Sequence, residues 1–227
     1  MSSIITASLV TSGTTDQSHT SVGFFAAWSS GSLIVLNVGT NKGSGTASTP
    51  TAAGSSVWTQ TNTVTTSTAI RRNTQLWSVG DGSSSTVTID YAGVAHTATL
   101  IQAIAFQNAA TNSGPIQSGT TIATTSITTH TELSSLTSTV NLMVMTCYRA
   151  ANNASTGGSG YTGIGSIGLG APAVKLTSFF GNSNLPDATH ASSVQYASIG
   201  AEFGLSGVGG VIVGATTQQR GGRRRRR

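Results

Sequence analysis

Short runs of β-branched and aromatic residues recur along almost the whole chain, and clusters of Gly, Ser, Asn and Asp separate them. Val, Ile and Thr favour strands because their branched side chains pack well on a pleated surface. No window shows the apolar spacing of an amphipathic helix over three turns. The pattern therefore predicts an all-β protein, with a sandwich or a barrel as its fold. Strands are predicted near residues 4–10, 22–28, 33–38, 57–65, 70–79, 86–91, 97–106, 122–128, 140–148, 194–203 and 210–215.

Two segments look irregular. Residues 40–54 are small and polar, and residues 152–170 are richer still in glycine, so both are predicted to be long surface loops. No internal repeat and no charged linker is evident. We therefore predict one sandwich domain over residues 1–219, with an N-terminal strand or arm at 1–20, followed by an Arg-rich tail at 220–227.

Charge is scarce and unevenly placed. Asp, Glu, Lys and Arg make up 7% of the chain, against about 25% in an average globular protein. Ser and Thr are abundant instead, at 33 and 37 residues. The net charge of +5 comes from the tail, because residues 1–219 hold five basic and six acidic side chains. A nearly uncharged surface favours a protein that is packed against partners.

Several classes of protein are disfavoured by the same composition. No apolar run approaches the ~18 residues of a membrane span, so no membrane partner is expected. The N-terminus, MSSIITASLV, has no basic segment followed by an apolar one, which predicts that there is no signal peptide. The single cysteine, Cys147, lies in an apolar run and is expected to be a small buried residue.

Catalytic groups are few. Glu202 stands out among the six carboxylates because it lies in an apolar strand beside Phe203, and we expect it to face solvent or a subunit interface. Ser206 lacks the second glycine of a nucleophile elbow. Residues 163–168 match G-x-G-x-x-G, but Gly170 and Pro172 would prevent the helix that a dinucleotide site needs. We predict no catalytic residue, no cofactor and no enzymatic activity.

Histidine and tryptophan give only weak indications of a ligand site. His130 and Glu132 are two residues apart and would share a strand face, which supplies two of the three or four ligands that a metal needs. Three copies of one histidine could also meet on a threefold axis. No metal site is predicted, because lone histidines are more often structural. Trp28, Trp58 and Trp77 could form a sugar platform, although a core position is the commoner fate of strand tryptophans.

The C-terminal tail is the sharpest candidate for a binding element. Its six arginines repel one another and will not fold alone, and Gly221 and Gly222 give it a hinge. Arginine forks bind carboxylates and phosphates, so the tail is predicted to anchor the protein to an acidic surface. A protein partner is favoured over nucleic acid, since the body has no basic stripe. The predicted anchor residues are Arg220, Arg223, Arg224, Arg225, Arg226 and Arg227.

The order of several short motifs resembles a jelly-roll module that is common in structural proteins of tailed bacteriophages. The matching segments are GSLIVL at 31–36, VWTQ at 57–60, QLWSVG at 75–80, TVTI at 86–89, ATLIQAIAF at 98–106, LMVM at 142–145, and the strands at 194–203 and 208–213. The series covers roughly residues 20–215. An acidic residue usually precedes the glycine of the first motif, and Ser30 stands there instead. The glycine-rich segment and the tail are further departures.

This resemblance implies a jelly-roll-like antiparallel β-sandwich fold and a non-enzymatic virion protein. Members of the family decorate or cement the capsid, or belong to fibres, and they usually act as trimers. The expectation for this chain is a homotrimeric head decoration protein that bridges capsomers of the major capsid protein, located in a virion assembled in the host cytoplasm. The alternative is a receptor- or glycan-binding domain of a tail fibre, spike or baseplate. No catalytic or binding residue carries over from the family.

Overall fold

The computed structural model describes residues 4–16, 18–23, 30–54, 57–66, 68, 70–82, 86–106, 114–123, 129–138, 140–151, 155–170, 173–182, 185, 187–190 and 195–204. These residues form sixteen β-strands and no helix, which confirms the prediction of an all-β antiparallel sandwich. The strands are β1 (Ile4–Asp16), β2 (Ser18–Gly23), β3 (Leu33–Asn41), β4 (Thr51–Gly54), β5 (Thr59–Thr65), β6 (Arg71–Val79), β7 (Thr86–Asp90), β8 (His96–Phe106), β9 (Pro115–Ala123), β10 (Thr129–Thr131), β11 (Leu142–Arg149), β12 (Ser155–Gly157), β13 (Tyr161–Gly170), β14 (Ala173–Gly181), β15 (Asp187–His190) and β16 (Tyr196–Phe203).

The strands form four sheets in four layers. Inner sheet 1 has the order β1-β8-β3-β6-β5, and inner sheet 2 has the order β13-β14-β11-β16-β9. The two inner sheets face each other across a shared core, to which β3 and β8 contribute from one side and β11, β14 and β16 from the other. Outer sheet 1, β2-β7-β4, covers the far side of inner sheet 1, and outer sheet 2, β10-β15-β12, covers the far side of inner sheet 2.

The two halves of the chain have the same strand order. Adding eight to each strand number of inner sheet 1 and outer sheet 1 gives the orders of inner sheet 2 and outer sheet 2. The register agrees as well, since Leu33 pairs with Phe106 as Leu142 pairs with Phe203. The chain is therefore an internal structural repeat, β1–β8 followed by β9–β16, which the sequence analysis did not detect.

Each half contains three of the pairings that wind a jelly roll. The first strand pairs with the eighth, the second with the seventh and the third with the sixth. In a complete jelly roll the fourth strand would pair with the fifth. Here β5 pairs with β6 and β13 pairs with β14, within the inner sheets. The all-β sandwich is thus established, while the jelly-roll topology stays a prediction.

Coverage on both sides explains the composition of the central strands. Every residue of β3, β11 and β16 is buried, as expected for strands whose two faces both meet other layers. The residues predicted to be buried are all buried in the structure, namely Leu33, Val35, Leu76, Ile101, Ala103, Ala105, Met143 and Met145.

The glycine-rich segment 152–170 was wrongly predicted to be a loop. It contains β12 and the ten-residue β13, which pairs with β14 along the edge of inner sheet 2. Ile164, Ile167 and Leu169 of β13 are partly buried against the core. Glycines between these residues hide the strand in the sequence. At least one of the glycines is required by packing, because a Cβ at Gly168 would lie 2.6 Å from the carbonyl oxygen of Val174.

Other predicted boundaries changed in smaller ways. Segment 40–54 is irregular only from 42 to 50, because β3 runs to Asn41 and Thr51–Gly54 is a strand. The sequence analysis missed β10, β14 and β15, began β9 seven residues late and ended β1 six residues early. The predicted strand at 210–215 and parts of those at 22–28 and 122–128 lie outside the described residues.

The two inner sheets pack closely at Gly39. A Cβ added there would lie 2.5 Å from Cδ2 of Tyr148, a fully buried side chain of the facing β11. Gly39 and Tyr148 occupy equivalent positions in the two halves, since each is six residues beyond the matching leucine, Leu33 or Leu142. The large ring of Tyr148 in one half therefore requires a glycine at position 39 in the other.

We expect Gly39→Ala to lower the free energy of unfolding by about 1–3 kcal/mol, because the added methyl group overpacks the space between the sheets. Gly43→Ala is the matched control. Its Cβ would make an ordinary 3.5 Å contact with Thr97, and we expect a change within about 0.5 kcal/mol. Urea unfolding followed by circular dichroism measures both. Equal stability of the two variants would contradict the packing described here.

Candidate functional site

The predicted anchor residues, Arg220 and Arg223–Arg227, lie outside the described residues, so the tail stays a prediction. What the structure adds concerns the acids that could compete for it. Glu132 and Glu202 are 7% and 0% exposed and accept hydrogen bonds within the body. These two carboxylates are therefore not available to bind the tail in the folded chain.

The carboxylate of Glu202 is held by several hydrogen bonds from the body of the protein. It accepts backbone N–H bonds from Thr137, at 3.0 Å to each oxygen, and from Ser138 at 3.1 Å. The side-chain amide of Asn141 donates to Oε1 at 2.5 Å, and that of Gln117 donates to Oε2. The expectation that Glu202 faces solvent or a subunit interface was wrong, because these internal donors take the place of water.

The same contacts set the protonation state of Glu202. Burial raises the pKa of its carboxyl group, but the hydrogen bonds from Asn141, Thr137, Gln117 and Ser138 outweigh burial, so the pKa lies below its ordinary value. The group is therefore an anion at neutral pH. It fixes the segment between β10 and β11 on the outer side of inner sheet 2.

A second polar cluster lies between inner sheet 2 and outer sheet 2. The Ser155 hydroxyl and Nδ1 of His190 are hydrogen-bonded at 2.8 Å, and Nη1 of Arg149 donates to the same hydroxyl at 3.5 Å. The ring of His190 packs against that of Tyr196 at a tilt of 55°, with centroids 4.6 Å apart. Ser198 donates to Oε1 of Glu132. We name Arg149, Ser155, His190, Tyr196, Ser198 and Glu132 the outer-sheet cluster.

Serine beside histidine is the pattern of an activated nucleophile, but the surroundings here favour a structural role. Ser155 is 5% exposed, His190 is 2% exposed and Arg149 is fully buried, so a substrate would have to displace outer sheet 2 to reach them. Burial, reinforced by the nearby Glu132, raises the pKa of the Cys147 thiol well above its ordinary value. Cys147 is thus a buried neutral thiol, as the sequence predicted.

The first half has a counterpart of this cluster. The ring of His96 packs against that of Tyr91 at a tilt of 59°, with centroids 4.9 Å apart, and its Nε2 lies 3.4 Å from the hydroxyl of Ser48. Burial, with the positive charge of Lys42, lowers the pKa of His96 to about 4, against a smaller raising effect of the Val94 backbone. Each half therefore joins its seventh and eighth strands through a buried histidine–tyrosine pair.

A third set of polar residues lies between the inner sheets. Asn37 accepts from Gln75 at 3.1 Å and donates to Ser178 at 2.9 Å, and Ser178 donates to Gln102 at 2.8 Å. Asn73 donates to the carbonyl oxygens of Thr146 and Ala197, at 3.2 and 3.0 Å. We name Asn37, Asn73, Gln75, Gln102 and Ser178 the polar seam. It crosses the core between two apolar clusters and ties one half of the chain to the other.

The remaining candidates do not assemble a site. No group of three His, Cys, Asp or Glu side chains within the described ranges could hold a metal ion. The G-x-G-x-x-G motif lies inside β13, so it does not form a turn that leads into a helix. Trp58 and Trp77 are partly buried against core clusters, which agrees with the core interpretation, while Trp28 is outside the described residues. The side chain of His130, which would have to bind the metal, also lies outside the described part.

Comparison with known proteins gives no relative. No family model matches the chain, and neither the curated proteins nor the solved structures give a match to it. In the described part of the chain, no helix is long and apolar enough to span a membrane.

The outer-sheet cluster and the polar seam were not found from the sequence. Glu202 was recognisable as an exception in an apolar strand, but its donors lie 61 to 85 residues away in the chain. Asn37, Gln75 and Gln102 were each predicted to lie in strands, and nothing in their spacing indicates that they meet.

We expect Glu202→Gln to lower the free energy of unfolding by about 2–4 kcal/mol. The amide offers one acceptor oxygen in place of two and turns an NH₂ group toward buried donors. Asp90→Asn is the control, because exposed Asp90 accepts one backbone bond, from Ala92 at 2.8 Å, and an asparagine oxygen can replace it. Chemical unfolding at pH 7 measures both. A Glu202→Gln protein as stable as the control would refute the anchoring role of the carboxylate.

Acidification is also expected to lower the stability of the fold, in a pH window that His96 sets. The unfolded ring binds a proton near pH 6.5, whereas the folded ring stays neutral down to about pH 4. Protons therefore favour the unfolded chain, and stability that is complete above pH 6.5 declines as the pH falls toward 4, by roughly 1–3 kcal/mol. His96→Gln should flatten this part of the profile. The loss of stability caused by protonation of Glu202 occurs at lower pH, below the ordinary pKa of a glutamate. An unchanged slope between pH 6.5 and 4.5 in His96→Gln would show that another group titrates.

Proposed function

We propose that this protein is a non-enzymatic structural component of a tailed-phage virion that decorates or cements the head. The proposal rests on the motif series given above and on one feature of the fold. Several ionisable groups of the described part are buried and contact neighbouring strands and segments, where they help to hold the layers together. They are Glu132, Glu202, Arg149, His96 and His190. Chemistry on a substrate would need such groups in an accessible cleft.

The exposed strands support a role in assembly. Three of the four strands that border the inner sheets, β5, β9 and β13, carry no charged residue, and the fourth, β1, has one, Asp16 at its end. Charged residues are depleted where protein surfaces are buried against one another, and they are enriched where a monomer faces water. A particle surface made of many neighbouring subunits buries such edges in each copy.

The proposed mechanism is mechanical. Copies that bind only the assembled shell stabilise it by mass action, without changing the capsid protein itself. The four-layer body is a rigid block for that purpose, because its layers are joined by buried apolar clusters and by the polar seam. The arginine tail would supply a flexible second contact to an acidic partner, most simply the major capsid protein.

Copy number on the native particle tests this function. A decoration protein is expected at hundreds of copies per particle, measured by quantitative mass spectrometry against the major capsid protein. A handful of copies, together with binding on a glycan array, would support the fibre or receptor-binding alternative. Absence from purified particles would overturn the virion assignment.

Removal of residues 220–227 tests the tail. The intact protein is expected to bind particles less tightly as salt rises, since the Debye length shrinks to about 3 Å at 1 M. The truncated protein should bind more weakly at low salt and with a flatter salt dependence, because several individually weak ion pairs on one tether are lost together. Equal binding of both proteins at low salt would rule out the anchor. A defect seen on naked DNA but not on emptied particles would assign the tail to nucleic acid.

A further inference from the structure

Strand β9 is an edge of inner sheet 2 with an unusual surface. In the described part of the chain its one hydrogen-bonded neighbour is β16. Two of its side chains, Ile116 and Ile122, are 47% and 48% exposed, and they belong to a small group of large apolar residues on the surface of the described chain. An exposed strand edge offers a row of backbone donors and acceptors to any strand that fits.

The usual protections of an edge are missing from most of β9. It has no lysine or other charge, and its only proline is its first residue. Its register irregularity lies at the start, between the partners of Glu202 and Phe203, and leaves Ile116 without a partner on β16, while the stretch from Gln117 onward pairs regularly. Two of the other edges are interrupted farther inside, because β5 has a bulge at 60–62 and β13 shifts register between Gly163 and Ser166. The fourth edge, β1, pairs regularly from Ile4 to Ser12 and ends in the charged Asp16.

The sequence of β9 is arranged symmetrically about its centre. Ile116 and Ile122 are each three residues from Gly119. In an antiparallel pair of identical strands centred on Gly119, Ile116 of one copy is opposite Ile122 of the other, and the reverse pair forms at the other end. Ser118 is then opposite Thr120, which places two hydroxyl side chains together. If the two residues were at unequal distances from the axis, neither of these contacts would form, because a twofold axis generates both together.

We propose that two copies of this protein associate through β9, antiparallel and about a twofold axis at Gly119. The partner is a second copy because the pattern complements itself, as an isologous interface requires. The pairing extends inner sheet 2 into a continuous sheet across both molecules. Ser118 and Thr120 share the face that is paired with the inward residues Ala201 and Ile199 of β16, and the even spacing places Ile122 on this face too. Ile122 of each copy thus continues the space between the inner sheets, at one end of the paired strands.

The uncharged β5 lies beside β9 and is carried into the same interface. Asn62 of β5 donates to the hydroxyl of Ser118 at 3.1 Å, so the edges of both inner sheets end together. A twofold axis perpendicular to the sheets brings β5 of one molecule next to β5 of the other. This arrangement does not depend on the proposed virion function, and it leaves other surfaces open for threefold or capsid contacts.

Charge placed at the two isoleucines tests the register. Ile116→Lys/Ile122→Lys puts like charges opposite each other at both ends and should weaken dimerisation by roughly tenfold or more. Ile116→Lys/Ile122→Glu puts opposite charges together at both ends, and should associate more tightly than the double-lysine variant. Thr156→Lys, on the exposed edge strand β12 of outer sheet 2, is the control and should not change association. Sedimentation velocity over a concentration series measures all four proteins, with circular dichroism to confirm that each is folded.

Cysteine cross-linking gives a second test that leaves the edge uncharged. In Ile116→Cys/Ile122→Cys, mild oxidation should link residue 116 of one copy to residue 122 of the other, a bond that peptide mass spectrometry identifies. Either single variant should not cross-link, because its two copies lie six residues apart along the strands, about 20 Å. Native Cys147 is buried and does not take part.

Three outcomes would overturn the proposal: a native protein that is monomeric at high concentration, equal association of the double-lysine and the lysine–glutamate variants, or efficient cross-linking of the single cysteine variants. Each can be obtained with the purified chain alone. A protein that dimerises as proposed but is absent from virions would leave this inference standing and remove the proposed function.

Discussion

The two inner sheets need cover on both faces, because their central strands carry almost no charge on either side. Inner sheets 1 and 2 meet each other on one face, and each receives a three-stranded outer sheet on the other. This requirement explains the buried character of β3, β11 and β16 along their whole length. It also explains why one eight-stranded half would be incomplete, since its five-stranded sheet would expose Leu33, Val35, Ile104 and Phe106 to water.

Polar residues give this stack its specificity. Apolar contacts alone would allow one sheet to slide over another, because a shift of the strands keeps most of the apolar surface buried. The polar seam does not tolerate it, since a shift would leave the buried amides of Asn37, Gln75 and Gln102 without the partners they now have. Glu202 and the outer-sheet cluster act in the same way one layer farther out. The two buried carboxylates, Glu132 and Glu202, therefore lie where segments distant in sequence are fixed to each other.

The sequence allowed the fold class and much of the core to be predicted, because β-branched runs and turn residues act locally. It failed at β13, where glycine removes the side chains whose alternation identifies a strand. It also failed to reveal the repeat, since equivalent positions hold residues as different as Gly39 and Tyr148, whose sizes are complementary across the interface. The polar contacts could not be predicted for a related reason. Asn37 and Ser178 are 141 residues apart, and only the stacking of the two halves brings them together.

Stacking of the halves also determines where the molecule can grow. The facing surfaces of the inner sheets are used within one chain, and their outer faces are covered by β2-β7-β4 and β10-β15-β12. Further burial of the inner layers can therefore occur only at their edges. A molecule that kept its edges to itself would be expected to protect them with charge, as monomeric β-proteins do. The borders β5, β9 and β13 instead carry hydroxyl groups, glycine and isoleucine. Lateral association of sheets is the mode of assembly that this distribution of residues favours.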